Sequence, residues 1–291
     1  MIHLIRTRLR ATPVGKWLLD ESPRRARILD FPTRWMPRRL ALLLKQTEGS
    51  EDFLAECRAA LSYYSGGDFI DVGAHEGSYS LILANKSQPN ARFHAFEPHL
   101  AYYHRLQANM AAIAEMYPNI RPASFCAAVG DGRGIEITFP MGETYHPQVR
   151  CSDRDTGPKS VDLDSYVNAM GLQPAFIKID VEGAEYFVLR GAQKTLAHHQ
   201  PVVMLEFHPQ FQPSDVAPDA CSAIMKGAGY TLAATIADEA AERQFWLPNQ
   251  ELTRSQIDWR PWAPLTWKWV CTTQPRSHPD TADRRRFAPM A

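Results

Sequence analysis

Several polar residues of this chain fall near the ends of apolar runs: Asp71, Glu97, Asp180, Glu182, Glu206 and His208. A carboxylate in such a place can meet a cationic ligand, accept both hydroxyls of a ribose, or take a proton from a reacting hydroxyl. His208 suits a general base, because imidazole titrates near neutral pH and Pro209 restrains the backbone beside it. Asp180, Glu182 and Glu185 fall within six residues at one strand-to-helix junction. Three readings stay open for that group: a base for a substrate hydroxyl, a contact to a cationic ligand, or a divalent-metal site with oxygen ligands. Glu185 is assigned to charge–dipole attraction at the helix start, and Lys178 to pairing with one of the acids.

The elements that must position these groups follow from the pattern of the chain. Gly66-Gly67-Asp68 is a turn, and Phe69 to Val72 is a short apolar run that reads as a buried strand. Tyr79, Ile82 and Leu83 recur at helical spacing, so Gly73 to Gly77 joins that strand to a helix. Glycine lets the backbone approach a ligand closely, and free N–H groups at the helix start suit an anion. Ala91 to Glu97 is the next strand, and Pro98 fits the first turn of a helix carrying Tyr103, Leu106, Met110 and Ile113.

Ser124–Asp131 reads as a third strand and its exit, and further strands are expected at Ala175–Ile179, Pro201–Pro209, 230–236 and 243–247, the last two as a hairpin. Val161 to Tyr166 reads as a short helix, and Ile135 to Phe139 as an alternating edge or excursion. Pro140 to Lys159 is polar and rich in Gly and Pro, which suits a lid, a specificity segment or disorder. Alternating strands and helices imply a parallel sheet covered on both faces. In such a sheet ligands bind beyond the carboxyl ends of the strands, which is where all the polar strand ends fall. Acids after consecutive strands around a glycine loop favour a nucleoside. The spacing is Gly-x-x-x-Gly; the absence of Gly-x-Gly-x-x-Gly counts against NAD.

The 291 residues, 45% of them hydrophobic, suffice for one large α/β core with extensions. Residues 1–40 carry ten Lys and Arg against three acids, +7, so the remainder carries −7 in a chain of zero formal charge. This basic arm is read as a helical extension with a solvated face, and no nucleic-acid partner is expected. Its longest apolar run is Leu40 to Leu44, too short to span a membrane or direct export. Five scattered cysteines without a Cys-x-x-Cys pair suit a reducing cytoplasm and argue against zinc. Trp259, Trp262, Trp267 and Trp269 crowd a C-terminal segment read as packing on the domain edge, with a homodimer face as the second reading. The Pro- and Arg-rich stretch from Gln274 is expected to be disordered.

The motifs in this order resemble the FkbM-type S-adenosylmethionine-dependent methyltransferases. The likeness is carried by Phe69 to Ser80, Ala95 to Pro98, Ala127 to Asp131, Val161 to Asp164, Ile177 to Glu185 and Val188 to Ala192. It covers roughly residues 66–210. It implies a Rossmann-like class I methyltransferase fold: a mostly parallel seven-stranded sheet, helices on both faces and a terminal antiparallel strand. It implies S-adenosyl-L-methionine as cofactor and methyl transfer, commonly to oxygen. By the same likeness Asp71, Gly73, Ala74 and Gly77 surround the methionine part, and Glu97 with Pro98 holds the ribose side. The exit at Ala128 flanks the adenine, and Asp180 and Glu182 face the methyl group and acceptor. His75 and Glu76 stand where the family has Asn and an apolar residue, so His75 is taken as a contact to cofactor or substrate.

The expectation is therefore a cytoplasmic O-methyltransferase acting on a hydroxyl of a sugar or secondary metabolite. Glu182, His208 and Glu206 are its candidate bases, and no metal is assigned. Residues 1–60 form an extension, 61–250 the catalytic domain, and 251–291 the Trp-rich segment and tail. The alternatives are a nucleotide-dependent oxidoreductase or epimerase, and a binding module that keeps the fold without catalysis.

Overall fold

Apolar runs too short for helices become strands, the central ones buried on both faces, in the computed structural model, which describes residues 51–138, 148–152, 160–237 and 241–249. The sheet strands are β1 (Asp68–Val72), β2 (Arg92–Phe96), β3 (Arg121–Phe125), β8 (Pro174–Ile179), β9 (Val202–Phe207), β10 (Tyr230–Ala237) and β11 (Glu242–Pro248). Four short strands stand outside it: β4 (Val129–Gly130) pairs β7 (Val161–Asp162), and β5 (Gly134–Thr138) pairs β6 (Gln148–Ser152). The helices are α1 (Glu51–Tyr63), α2 (Ser78–Ala84), α3 (Leu100–Met116), α4 (Leu163–Met170), α5 (Glu185–Arg190), α6 (Gln193–His199) and α7 (Ala220–Gly227).

The seven-stranded sheet has the order β10-β11-β9-β8-β1-β2-β3. β11 is antiparallel to both of its neighbours, while β9, β8, β1, β2 and β3 pair in parallel. The expected Rossmann-like sheet is present, with its antiparallel strand last in the chain but between β9 and β10 in space. The chain runs outward from β1 through β2 to β3, then crosses back to β8 on the other side of β1. The order therefore reverses between β1 and β8, and a ligand crevice belongs at their carboxyl ends.

Alternate residues of each strand feed two cores. Phe69, Phe93, Phe176 and Met204 face one side, under Cys57 and Ala60 of α1, Leu81 to Leu83 of α2, and Leu106, Met110 and Ile113 of α3. Rings of Phe69, Phe93 and Phe176 pack with centroids 5.3 and 5.9 Å apart along the first two contacts. Ile70, Val72, Ile177, Ile179, Val203 and Leu205 face the other side, under helices α4 to α7. Helix α1 straddles residue 60 and is seated in the first core, with Cys57, Ala60 and the following Tyr64 fully buried. Its role is structural at the least, because burying such side chains stabilises by about 1.5–3 kcal/mol apiece for the larger ones.

Some expectations need correction. The strand read at Ser124 begins earlier, at Arg121, and stops at Phe125, and its exit turns away at Val129–Gly130 to pair with β7. Pro98 lies ahead of the helix, since His99 is the N-cap of α3. Within Pro140–Lys159, residues Gln148–Ser152 form a strand, paired with β5 where cross-strand hydrogen bonding is available. The short helix read over Val161–Tyr166 begins later, at Leu163, and runs to Met170; Val161 and Asp162 form β7, and Asp162 caps the helix by accepting from Ser165 N at 2.8 Å. The basic arm, the four tryptophans and the C-terminal tail lie outside the described residues. Among the described residues no helix is long and apolar enough to cross a membrane.

Candidate active site

Lys178 organises the first half of the site. It lies on β8 opposite Asp71 of β1, and both are buried. Its ammonium donates to Gly73 O at 2.7 Å and to Asp180 Oδ2 at 3.0 Å, and stands 3.8 Å from Asp71 Oδ1. Ser80 donates to the other Asp71 oxygen at 2.8 Å, leaving Oδ1 without a hydrogen bond. Burial works against the charge on Lys178, yet Asp180 and Asp71 outweigh it and raise its pKa above the usual lysine value. Burial likewise opposes ionisation of Asp180, and Lys178 reverses the balance and holds that carboxyl below the usual range. Asp71 goes the other way: burial raises its pKa more than Lys178 and Ser80 lower it.

The glycine loop is set by this contact. Gly73 has φ +72°, and a Cβ there would stand 1.7 Å from Asp180 O. Only glycine lets the β1 loop pass that close to the β8 exit. Four N–H groups of the loop are paired within the protein. Gly73 N and Ala74 N donate to Phe96 O, Gly77 N to Ala74 O, and His75 N to Glu97 Oε2 at 2.9 Å. Three of the four are spent on Phe96 and Glu97 because β2 lies directly beside β1.

Glu97 is 7% exposed. One oxygen accepts from His75 N and the other from His99 N at 2.8 Å, so the two amides fix the carboxylate in orientation. Each oxygen keeps a second lone pair for a ligand hydroxyl. Burial raises the Glu97 pKa, and the two amides partly offset it. The His75 and Tyr102 rings lie 4.0 Å apart at a tilt of 42°, and the His99 ring lies 4.7 Å from Tyr102. Pro98 is half-buried beside them, and Ala128 anchors the neighbouring wall by accepting from Val161 N at 2.9 Å.

The second half of the site hangs from β8 and β9. His208 Nδ1 meets Glu185 Oε1 at 3.0 Å, and the same oxygen accepts from Gly183 N at 2.9 Å. His208 Nε2 lies 3.4 Å from Glu182 and 3.8 Å from Glu206. Glu206 is paired with Arg243, directly across on β11, at 2.8 Å, and Arg243 reaches Glu56 of α1 at 3.1 Å. Glu56 in turn accepts from Tyr79 OH at 2.8 Å. Burial lowers the basicity of His208, but Glu185 and its neighbours overcome this and lift its pKa to about 9. Burial, with Asp180 nearby, pushes Glu206 up to about 8 against the pull of Arg243. At neutral pH this half of the site therefore retains protons.

The structure brings Asp71, Gly73, Ala74, His75, Gly77, Glu97 and Pro98 together around the β1–β2 end, with Ala128 on the adjoining strand exit. It brings Asp180, Glu182, Glu206 and His208 together around the β8–β9 end. The two groups meet at Lys178 and Asp180. Sequence reasoning missed Lys178 as the hub, although a lysine two residues before Asp180 in an apolar strand was its signal. It also missed Glu185, which is 1% exposed and bound to His208 rather than facing solvent at a helix start. Glu56 and Arg243 carried no local signal. A cleft of about 720 Å³ beside α4 and α6, lined by Asp164, Arg190, Lys194 and His198 among others, contains none of these strand-end acids.

A sequence model of the methyltransferase FkbM domain matches residues 71–232. Similar solved structures include an FkbM methyltransferase from Methylobacillus flagellatus KT, 15% identical with a TM-score of 0.44, over 77% of this chain and 59% of that one. The chain thus spans less than two thirds of that protein. Aeropyrum pernix fibrillarin with natively bound S-adenosyl-L-methionine is 13% identical with a TM-score of 0.41, over 66% and 74% of the two chains. Magnesium protoporphyrin IX methyltransferase from Synechocystis PCC 6803 is 12% identical with a TM-score of 0.41, over 84% and 96%. No curated protein matches the chain in sequence.

Proposed function

The chain belongs to the FkbM methyltransferase family, and from that premise we propose that it transfers a methyl group from S-adenosyl-L-methionine to a hydroxyl of a sugar or secondary metabolite. The observation that carries this reading is the Glu97 carboxylate, held by two backbone amides beside a glycine loop at the switch between β1 and β8. A carboxylate fixed in this way, with lone pairs to spare, fits the diol of a ribose. The surplus of acids on the rim fits a ligand that carries a sulfonium and an ammonium. The residues present therefore suit the cofactor.

The cofactor supplies a methyl group on a positively charged sulfur, an electrophile that needs no further activation. What remains for the chain is to bind, align and deprotonate. Glu97 accepts the ribose hydroxyls, with Pro98 and Ala128 flanking the nucleoside. Asp71, Gly73, Ala74 and Gly77 shape the methionine end, and His75 borders it. Asp180, locked by Lys178, orients the junction between cofactor and acceptor. Glu182 would take the acceptor's O–H proton as the oxygen takes the methyl, with His208 and Glu206, the other two candidate bases, standing behind it. Glu182, 22% exposed in its side chain, is the member most open to an acceptor. His208 and Glu206, both protonated near neutrality, hold positive and neutral character beside the developing negative oxygen.

Calorimetric titration with S-adenosylmethionine and its demethylated product, with NADH as control, tests the reading on wild type and Glu97→Ala. Both methionine nucleosides are expected to bind, NADH is not, and Glu97→Ala weakens binding by roughly tenfold or more, as the loss of a charged hydrogen-bond acceptor implies. A folded protein that ignores both nucleosides overturns the proposal. NADH binding promotes the oxidoreductase, and silence from all three ligands promotes the binding module.

A further inference from the structure

At the carboxyl ends of β8 and β9, one carboxylate oxygen each from Asp180 and Glu182 and a ring nitrogen of His208 all lie within 4.8 Å of one another. The donors are held in place from behind. Lys178 fixes Asp180 at 3.0 Å, and Glu185 fixes the His208 ring through Nδ1 at 3.0 Å. With Nδ1 turned to a carboxylate, Nε2 is the nitrogen aimed into the acids, from a side chain only 5% exposed. An outer carboxylate behind a ligating imidazole is the usual support of a metal-bound histidine.

The spacing separates two explanations for that aim. A proton shared between an imidazolium and a carboxylate draws the atoms to about 2.7–2.9 Å. Nε2 instead stands 3.4 Å from Glu182 and 3.8 Å from Glu206. Two ligands about 2.1 Å from a common cation, at an angle near 105°, lie roughly 3.3 Å apart. We infer that Asp180, Glu182 and His208 form a site for a divalent transition-metal cation, with Glu185 as its outer support. The sequence alone grouped Glu185 with the two acids; the structure replaces it with His208 as donor and moves it behind the ring. One imidazole with two carboxylates favours Mn²⁺ or Zn²⁺ over Ca²⁺, which takes oxygen ligands in greater number. A cation there has positions left for an acceptor oxygen beside the cofactor loop, and its charge would favour loss of that oxygen's proton.

The site is tested without cofactor or acceptor, so its outcome and that of the methyl-transfer reading are separate. The full chain is stripped with chelator, dialysed, and titrated calorimetrically with MnCl₂ and with ZnCl₂, CaCl₂ serving as comparison. The expected result is one saturable Mn²⁺ or Zn²⁺ site per chain, weakened at least about tenfold in Glu182→Gln and in His208→Gln. Glu185→Gln is expected to lower affinity by about 10–100-fold, as loss of an outer partner does. Circular dichroism checks that each variant is folded; Glu182→Gln, the most exposed change, keeps the test intact if His208→Gln does not fold. Absence of saturable binding to folded wild type up to millimolar metal overturns the proposal. So does binding that Glu182→Gln and His208→Gln leave unchanged.

Discussion

Lys178 shows how one residue decides what its neighbours are. Removing its charge leaves Asp71 and Asp180 buried at the heart of the site with no cation between them. Lys178→Met is expected to cost about 3–5 kcal/mol, the usual loss when one partner of a buried ion pair is deleted. Urea denaturation measures it, and a change under 1 kcal/mol would mean that the pairing is dispensable. The same variant is expected to lose cofactor affinity, because Gly73 O is held by the ammonium at 2.7 Å. The identity of this lysine and its nearness to Asp180 were legible in the sequence. Its third partner was not, since a backbone carbonyl in the loop after another strand has no signature in local spacing. Glu185 makes the complementary case: a first-turn acid is ordinarily solvated, and only the approach of β9 turns it inward onto His208.

Among the elements, the strands are tied at the end opposite the site. Asp68, the first residue of β1, accepts from Arg92 N at 2.9 Å and from Gln173 N at 3.0 Å, and pairs with the Arg92 side chain at 2.6 Å. It thereby fastens β1 to β2 and to the chain entering β8. Asp68→Ala is expected to destabilise by about 2–4 kcal/mol, since it leaves two backbone amides without an acceptor and deprives the Arg92 guanidinium of its carboxylate, leaving it only Met170 O and Gly171 O. Thermal and urea unfolding check the magnitude. Cofactor affinity of the folded variant is expected to stay within about twofold, as the lost contacts lie at the far strand ends; a larger drop would show that the two ends are coupled. Strands and helices with strong periodicity were legible at this scale. The two-residue strands β4 and β7 were not, nor was β6, because each exists only through its partner.

For the whole molecule, the protons held by the β8–β9 network make stability depend on pH. His208 is raised from 6.5 to about 9, so its contribution is complete below about 6.5 and is lost as pH rises through 9. Glu206 is raised from 4.5 to about 8, and the buried carboxyl costs stability as it ionises toward that value. Both act in the same direction. Asp131 does not oppose them there: burial is outweighed by Arg133 and Arg190, its pKa is lowered, and its contribution disappears only in acid. In chelator, with no cation competing for Nε2, the urea midpoint of wild type is expected to fall between pH 6.5 and 9. His208→Gln should flatten that slope. A wild-type midpoint that is level or rises over this range contradicts the assignment.

By itself the sequence determined the alternation of strands and helices, the glycine loop after β1, and the acids at strand ends, and with them the family. These are local properties, written in hydrophobic period and in which residue follows each apolar run. The tertiary structure alone decided which of those acids meet Lys178, His208 or Arg243. Arg243 meets Glu206 because β11 inserts antiparallel between β9 and β10. Glu56 reaches the same cluster because α1 is drawn into the core beneath it. Such partners are chosen by strand order and register, and those are settled by burying every apolar face at once, a condition that no single stretch of the chain contains.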